Sequence, residues 1–333
     1  MKLAVLNKNS RPLVTIIVPV YNEQEVLTLF HRRLEQATSQ LSHVDFEVLY
    51  INDGSQDDSW QLMQNLLPQP NLTIRNINLS RNFGKEAAMT AGFDLAHGDA
   101  AILLDADLQD PPELIGEMID CWQEGVDVVN MKRSARHGES AFKKSSAKVY
   151  YRLLTWLSDS PVEENVGDFR LLSRDVIEQI RQMPEKNRYM KGLMSWPGFV
   201  QKTLMFDRPE RAAGETKWNF WQLVKLGLSG ITAFSVKPLR LAIWSGVLLS
   251  TIAFVYGMVI LSKTLIFGDN VAGYPSLMLV QLILGGVQLL AIGVMGEYIG
   301  RIFTETKQRP TYIVMEEKTA KIASDLAKVR HHG

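Results

Sequence analysis

Apolar and polar positions alternate in blocks from Val14 to about Asn130. Val14-Thr-Ile-Ile-Val-Pro-Val20 is a β-branched run with polar residues after it, and predicts a first strand. From Glu23 to about Leu41, Val26, Leu27, Phe30 and Leu34 recur near helical spacing and predict a helix. The same reading gives strands over Phe46–Ile51 and Thr73–Leu79, and helices over Asp57–Leu67 and Lys85–Ala96. Ala100 to Leu104 are small or apolar, as in a strand covered on both faces. This strand is expected to run into Asp105 and Asp107, placing both carboxylates on the same side of a still extended backbone. Pro111-Pro112 then ends the extended run and opens a helix to about Glu124, and a strand follows to Met131. Such alternation predicts a doubly wound, mainly parallel α/β sheet. Residues 132–211 read as less regular.

The pattern changes completely after residue 217. No residue is charged from Leu241 to Leu261 or from Pro275 to Gly296, and each stretch reaches the ~20 residues that a helix needs to cross a bilayer. Lys237 and Arg240 precede the first stretch, and Arg301, Lys307 and Arg309 follow the second. The positive-inside rule then places both chain ends in the cytoplasm with a hairpin between them. A pair of buried core helices is the alternative. Ahead of the hairpin, Trp218 to Val236 is rich in aromatic and aliphatic residues and poor in charge, which suggests a helix lying in the membrane interface. Gly296 and Gly300 stand at G-x-x-x-G spacing, which permits close helix contact between subunits.

Composition narrows the function classes. Thirty-six basic residues balance 36 acidic ones, so no global field points to nucleic acid. The single Cys121 excludes an internal disulfide framework and fits a reducing compartment. The histidines show no zinc-ligand spacing, and the N-terminal residues lack the apolar core of a signal peptide. Locally, Lys132, Arg133, Arg136, Lys143, Lys144 and Lys148 face a single acid, Glu139. That run is either a solvated face or an anion or membrane-surface site.

The predicted strand ends collect the polar residues. Pro19, Tyr21, Asn22 and Glu23 follow the first strand, Asn52-Asp-Gly-Ser55 the second, and Ser80-Arg-Asn-Phe-Gly-Lys85 the third; Asp105 and Asp107 follow the fourth. In open α/β sheets such an edge is a ligand cleft. There is no G-x-G-x-x-G after the first strand and no G-x-x-x-x-G-K-[ST] anywhere, so neither a dinucleotide fold nor a P-loop is indicated. Asp-x-Asp at a strand end supplies hard oxygen ligands for a divalent cation on a diphosphate, although alone it is a short and common sequence. Asp53 before Gly54 is a nucleotide ligand or a turn former. Phe169 and Arg170 are packing or local pairing residues unless a ligand claims them.

Val18-Pro-Val-Tyr-Asn-Glu23, Asn52-Asp-Gly-Ser55, Arg81-Asn-Phe-Gly84, Leu104-Asp-Ala-Asp-Leu-Gln-Asp-Pro-Pro112, Gly167-Asp-Phe-Arg170 and Gly214-Glu-Thr-Lys217 together resemble glycosyltransferase family 2. Within it the likeness is to the polyprenyl-phosphate branch, the bactoprenol-glucosyltransferase and dolichol-phosphate-mannose-synthase-like enzymes. It extends from about Leu13 to Tyr312. The resemblance implies a GT-A catalytic domain over 1–217, an interfacial helix over 218–238, a two-span hairpin over 239–300 and a cytoplasmic segment over 301–333. By position it implies that Pro19, Tyr21, Glu23 and Asp53 hold the base and ribose of a nucleotide sugar. Asp105, Asp107 and Gln109 match the metal and diphosphate motif, with Mg²⁺ or Mn²⁺ as cofactor. The sharper expectation is that Asp107 and Gln109 hold the metal while Asp105 lies nearer the ribose and diphosphate. Asn52 stands where many relatives have a second Asp. Arg133, Arg211 and Lys144 match basic positions for an acceptor phosphate, and Lys217 a turn closing near the site.

The implied reaction is inverting transfer of one hexose, glucose from UDP-glucose first, to undecaprenyl phosphate at the cytoplasmic face of a bacterial inner membrane. A homo-oligomer is expected. Mannose from GDP-mannose or an amino-pentose from its UDP sugar are the alternative donors, and a non-catalytic membrane scaffold is the alternative class. Asp168 matches a position assigned as base. A phosphate monoester has a second pKa of about 6, however, so the acceptor is already mostly dianionic at neutral pH. Asp168 is therefore expected chiefly to orient the donor sugar and exclude water.

Overall fold

The computed structural model describes residues 11–134, 166–186, 188–207, 237–267 and 273–320. They fall into two compact units, one built from the residues before 219 together with those after 308, the other carrying residues 237–267 and 273–308.

In the first unit, β1 (Leu13–Val20), β2 (Asp45–Asn52), β3 (Leu72–Leu79) and β4 (Ala100–Leu103) lie parallel, joined by α1 (Leu27–Ser39), α2 (Ser59–Gln64) and α3 (Lys85–Leu95). A 3₁₀ turn over Pro112–Leu114 leads into α4 (Ile115–Gln123). After it come β5 (Val128–Arg133), β6 (Val166–Ser173), α5 (Arg174–Gln182), α6 (Met190–Ser195) and β7 (Gln201–Phe206). The last strand, β8 (Val314–Ala320), follows the second unit in sequence. The described strands form an eight-stranded sheet in the order β7-β5-β6-β4-β1-β2-β3-β8. It is mixed: β6 runs antiparallel to β4 and β5, and β8 antiparallel to β3.

Both faces are covered, which is why β1 and β4 read as nearly continuous apolar runs. On one side Val14, Ile16 and Val18 join Leu27, Phe30, Leu34, Ile115 and Met118 in the main core. On the other, α3 lies against β1 and β2. Gly92 makes that approach possible, because a Cβ there would overlap Ile17 Cγ2. β8 is fixed to the sheet through charge. Arg75 on β3 donates from Nε and Nη2 to Glu317 Oε1 at 3.0 and 2.7 Å, and from Nη1 to Glu47 Oε1 at 2.8 Å. Burial alone would raise the pKa of Glu47, but the Arg75 and Thr15 hydrogen bonds outweigh it and hold it low.

Order along the sheet creates the cleft. β1, β2 and β3 progress in one direction, whereas β4 lies on the other side of β1, so their carboxyl ends diverge at a switch point. Because β6 is antiparallel to β4, its first residues arrive at that same edge, as does the end of β5.

In the second unit, α7 (Lys237–Phe267) and α8 (Tyr274–Thr306) pack on each other. Residues 242–259 and 283–306 are long and apolar enough to cross a membrane, and neither window is buried within the protein. Both helices extend past the uncharged stretches of sequence; α8 continues through Glu297 and Arg301, which pair at 3.1 Å. Most of the aromatic segment over 218–238 lies outside the described residues.

Candidate active site

Loops at the carboxyl edge are clipped to one another before any ligand is considered. After β1, the Asn22 N–H donates to Ser55 Oγ at 3.0 Å, and Asn22 Oδ1 accepts the Gln56 N–H at 2.8 Å. The Glu23 N–H donates to Ser59 Oγ at 2.9 Å. Asn22 adopts φ 55°, a left-handed conformation that asparagine tolerates. Tyr21 is exposed at this edge beside partly covered Pro19 and Glu23.

Asp53 is buried, and its two oxygens accept the backbone N–H groups of Phe83 (2.7 Å) and Gly84 (2.9 Å). Gly54 makes this contact possible: it has φ 67°, and any Cβ would overlap the backbone of Arg81 and Asn82. Asp53 thereby fixes the turn that starts α3. Next to it, the Asn52 amide donates to Asn78 Oδ1 at 2.8 Å and its Oδ1 accepts the Ser55 N–H at 3.2 Å. An aspartate could not supply that donor, which accounts for Asn at this position.

The expected extended geometry of Asp105 and Asp107 is not what the structure has. β4 ends at Leu103, and the two acids lie in a turn in which buried Leu108 takes φ 62°. A positive φ on a buried leucine is strain of the kind concentrated at functional sites. The turn aims the carboxylates separately. Asp105 Oδ2 meets the Lys85 ammonium at 2.8 Å, whereas Asp107 Oδ1 accepts the Gln109 N–H at 3.1 Å.

Lys85 also reaches Asp168 Oδ2 at 2.6 Å, so one ammonium joins the end of β4 to the start of β6. Lys191 on α6 stands 3.9 Å from the other Asp168 oxygen. Burial would raise the pKa of Asp168, but these two cations hold it at about 2. Burial likewise acts to lower that of Lys85, and the two carboxylates outweigh it and raise it. Asp110 is pushed up to about 7, first by burial and then by the charge of Asp105, with Arg133 opposing. Its Oδ1 is buried with no hydrogen-bond partner among the described residues. Arg133, at the end of β5, packs over Gly167, its Nη2 lying 3.3 Å from where a Cβ would stand; among the described residues its buried Nε has no hydrogen-bond partner.

Asp105, Asp168 and Arg133 thus converge, while Asp53 acts on the neighbouring turn. Arg211, Lys144 and Lys217 lie outside the described residues. Phe169 is a core residue, edge-on to Phe206 at 5.8 Å, and Arg170 turns back to donate to Gly167 O at 3.2 Å. The sequence alone assigns no role to Lys85, Lys191 or Asp110. Lys85 directly follows the Arg81–Gly84 motif and Asp110 lies inside the Asp105 motif, but only the antiparallel β6 brings Asp168 to them.

Among the described residues no three His, Cys, Asp or Glu side chains form a metal-ligating group. A cation would take one or two carboxylates here and complete its shell with substrate phosphate and water, as Mg²⁺ commonly does. Asp105, Asp107 and Gln109 present hard oxygens at one turn, so the donor set fits Mg²⁺ or Mn²⁺.

A mixed α/β sheet with acidic side chains at its switch point is of the GT-A type, and two apolar helices follow it at the C-terminal end. Glycosyl transferase family 2 matches residues 15–181, and the GtrB C-terminal hairpin matches residues 237–302; the chain belongs to glycosyl transferase family 2 and is a glycosyltransferase. The prophage bactoprenol glucosyl transferase homolog of Escherichia coli (strain K12) is 45% identical over 92% of this chain and 99% of its own. The bactoprenol glucosyl transferase of Shigella phage SfV gives the same identity and coverage. Among solved structures, Mycobacterium tuberculosis glucosyl-3-phosphoglycerate synthase is similar over 68% of this chain and 80% of its own, with a TM-score of 0.40 and 15% identity.

Proposed function

We propose that this enzyme transfers a single hexose, glucose from UDP-glucose, to the phosphate of membrane undecaprenyl phosphate, with inversion, at the cytoplasmic face of a bacterial inner membrane. The observation that carries the reading is the Lys85–Asp105–Asp168 cluster beside Arg133, in a chain that matches, over 92% of its length, relatives named as bactoprenol glucosyl transferases. On this reading residues 1–217 form the cytoplasmic catalytic domain, 218–238 an interfacial helix, 239–300 the membrane hairpin and 301–333 a cytoplasmic segment. Subunits associate through the Gly296 and Gly300 face.

Pro19, Tyr21, Glu23 and Asp53 hold the nucleotide, Asp53 by fixing the Phe83–Gly84 turn as well as by direct contact. Arg133, with Arg211, Lys144 and Lys217, binds the acceptor phosphate; a guanidinium suits it by its bidentate fork. An acceptor oxygen forms a bond to the anomeric carbon as the bond from that carbon to the donor diphosphate breaks. The bonding pair leaves with the nucleoside diphosphate. A dianionic acceptor has no proton to lose, so Asp168, held ionised by Lys85 and Lys191, orients sugar hydroxyls and keeps water from the anomeric carbon. A divalent metal on Asp105, Asp107 and Gln109, when bound, supplies Lewis-acid neutralisation of the leaving diphosphate.

Membranes containing the protein, given labelled UDP-glucose, GDP-mannose or a UDP-amino-pentose with undecaprenyl phosphate and Mg²⁺, test the reading. Label should pass from UDP-glucose into a chloroform-soluble, mild-acid-labile product. Label from another donor alone would correct the sugar, and none from any donor would leave a scaffold.

A further inference from the structure

Lys85 stands at the first position of α3, immediately after the turn that Asp53 fixes. Its ammonium lies 2.8 Å from Asp105 and 2.6 Å from Asp168, two carboxylates that come from different strand ends. An ammonium carries three N–H donors, and these contacts use two. Lys85 remains 44% exposed while Asp105 and Asp168 are 23% and 15% exposed, so the cation forms the open side of the cluster. Its position therefore matters twice. It neutralises the carboxylate expected to face the donor diphosphate, and it tethers the carboxylate expected to face the sugar.

A divalent cation entering at Asp105 would meet an ammonium already bound there, and two cations on one carboxylate oxygen repel. The displaced N–H would then be free to donate to an oxygen of the donor phosphate that enters with the cation. Resting on the transfer reading above, we propose that Lys85 is a catalytic residue that keeps Asp168 in place throughout and exchanges Asp105 for the donor's leaving phosphate when metal and nucleotide sugar bind. Charge in the cluster is then balanced both before and after the donor enters, and the sugar-facing carboxylate does not move as the diphosphate side is remade. A strap that merely tied α3 to β6 would need neither Asp105 nor any response to metal.

The test uses the full-length protein in nanodiscs with Lys85→Met and Lys85→Arg. Mn²⁺ alone is titrated without nucleotide and followed by electron paramagnetic resonance. Removal of the competing ammonium should tighten Mn²⁺ binding by about tenfold in Lys85→Met, with Lys85→Arg near wild type. In the transfer assay Lys85→Met should lose on the order of 100-fold in kcat with donor KM changed by less than about threefold, and Lys85→Arg should recover part of kcat. Unchanged Mn²⁺ affinity in Lys85→Met, or kcat within about threefold of wild type, overturns the proposal. If Lys85→Met does not accumulate, Lys85→Gln, neutral but still a hydrogen-bond donor, is held to the same two outcomes. Absence of transfer by the wild type would defeat the functional reading; transfer by the wild type with an undiminished Lys85 variant defeats this inference alone.

Discussion

Asp168 is the residue whose chemistry the structure constrains most. Its pKa of about 2 lies below the ordinary 3.8, because Lys85 and Lys191 outweigh burial. A depressed carboxylate contributes stability above its unfolded pKa and loses it as pH falls through the folded value, here between pH 3.8 and about 2. Asp168 is therefore ionised throughout the neutral range and makes a weak base. Asp168→Asn should lower turnover on the order of 100-fold by misplacing the donor, and by the same factor at pH 8 and pH 5.5. Turnover near normal at pH 8 but lost at pH 5.5 would mean that Asp168 takes a proton. Glu86 behaves in the opposite sense. Burial, with the nearby Asp168 charge, raises its pKa to about 7, against the opposing Met190 N–H bond at 2.7 Å. Its contribution to stability is greatest below pH 4.5 and falls as pH rises toward 7. Glu86→Gln keeps the acceptor for Met190, so it should stabilise the fold by about 1–2 kcal/mol at pH 8. Thermal unfolding at the two pH values checks this, because the gain should vanish near pH 4.

Packing between elements rests on small residues as much as large ones. Gly92→Ala would press a methyl group into Ile17 where α3 crosses β1, and overpacking of this kind costs about 1–3 kcal/mol. Denaturant unfolding should show that loss, and Ile17→Ala in the same chain should restore part of it. The elements up to β5 were legible because strands buried on both faces carry long β-branched runs, as in Val14–Val20, while α1 carries a clear apolar stripe. β6 reads from sequence as a motif and not as a strand, because Gly167, Asp168 and Arg170 interrupt its apolar residues. β8 escaped because Val-Met-Glu-Glu-Lys-Thr-Ala is an exposed edge held partly by the Arg75–Glu317 ion pair, to which Arg75 comes from more than two hundred residues earlier. The Asp105–Asp107 turn could not be read either, since no pattern announces a leucine at positive φ. Candidate chemistry was legible residue by residue; its assembly was not, because it depends on β6 returning antiparallel to β4.

At the scale of the molecule, two units of opposite solvent preference share one chain. The sheet unit buries a large apolar core, whereas α7 and α8 leave Trp244, Phe254, Leu289 and Leu290 uncovered. Surfaces of this size on helices of this length suit a bilayer, and on the proposed reading a water-soluble donor meets a lipid acceptor at the sheet edge. The account stands or falls on that edge carrying the chemistry while the hairpin carries the anchoring. Asp107→Ala separates the two directly: wild type and variant are compared for label passing from UDP-glucose to undecaprenyl phosphate, and for retention in the membrane after alkaline extraction. Transfer should be abolished with retention unchanged. Transfer that survives in Asp107→Ala, or protein that no longer stays in the membrane, would contradict the account.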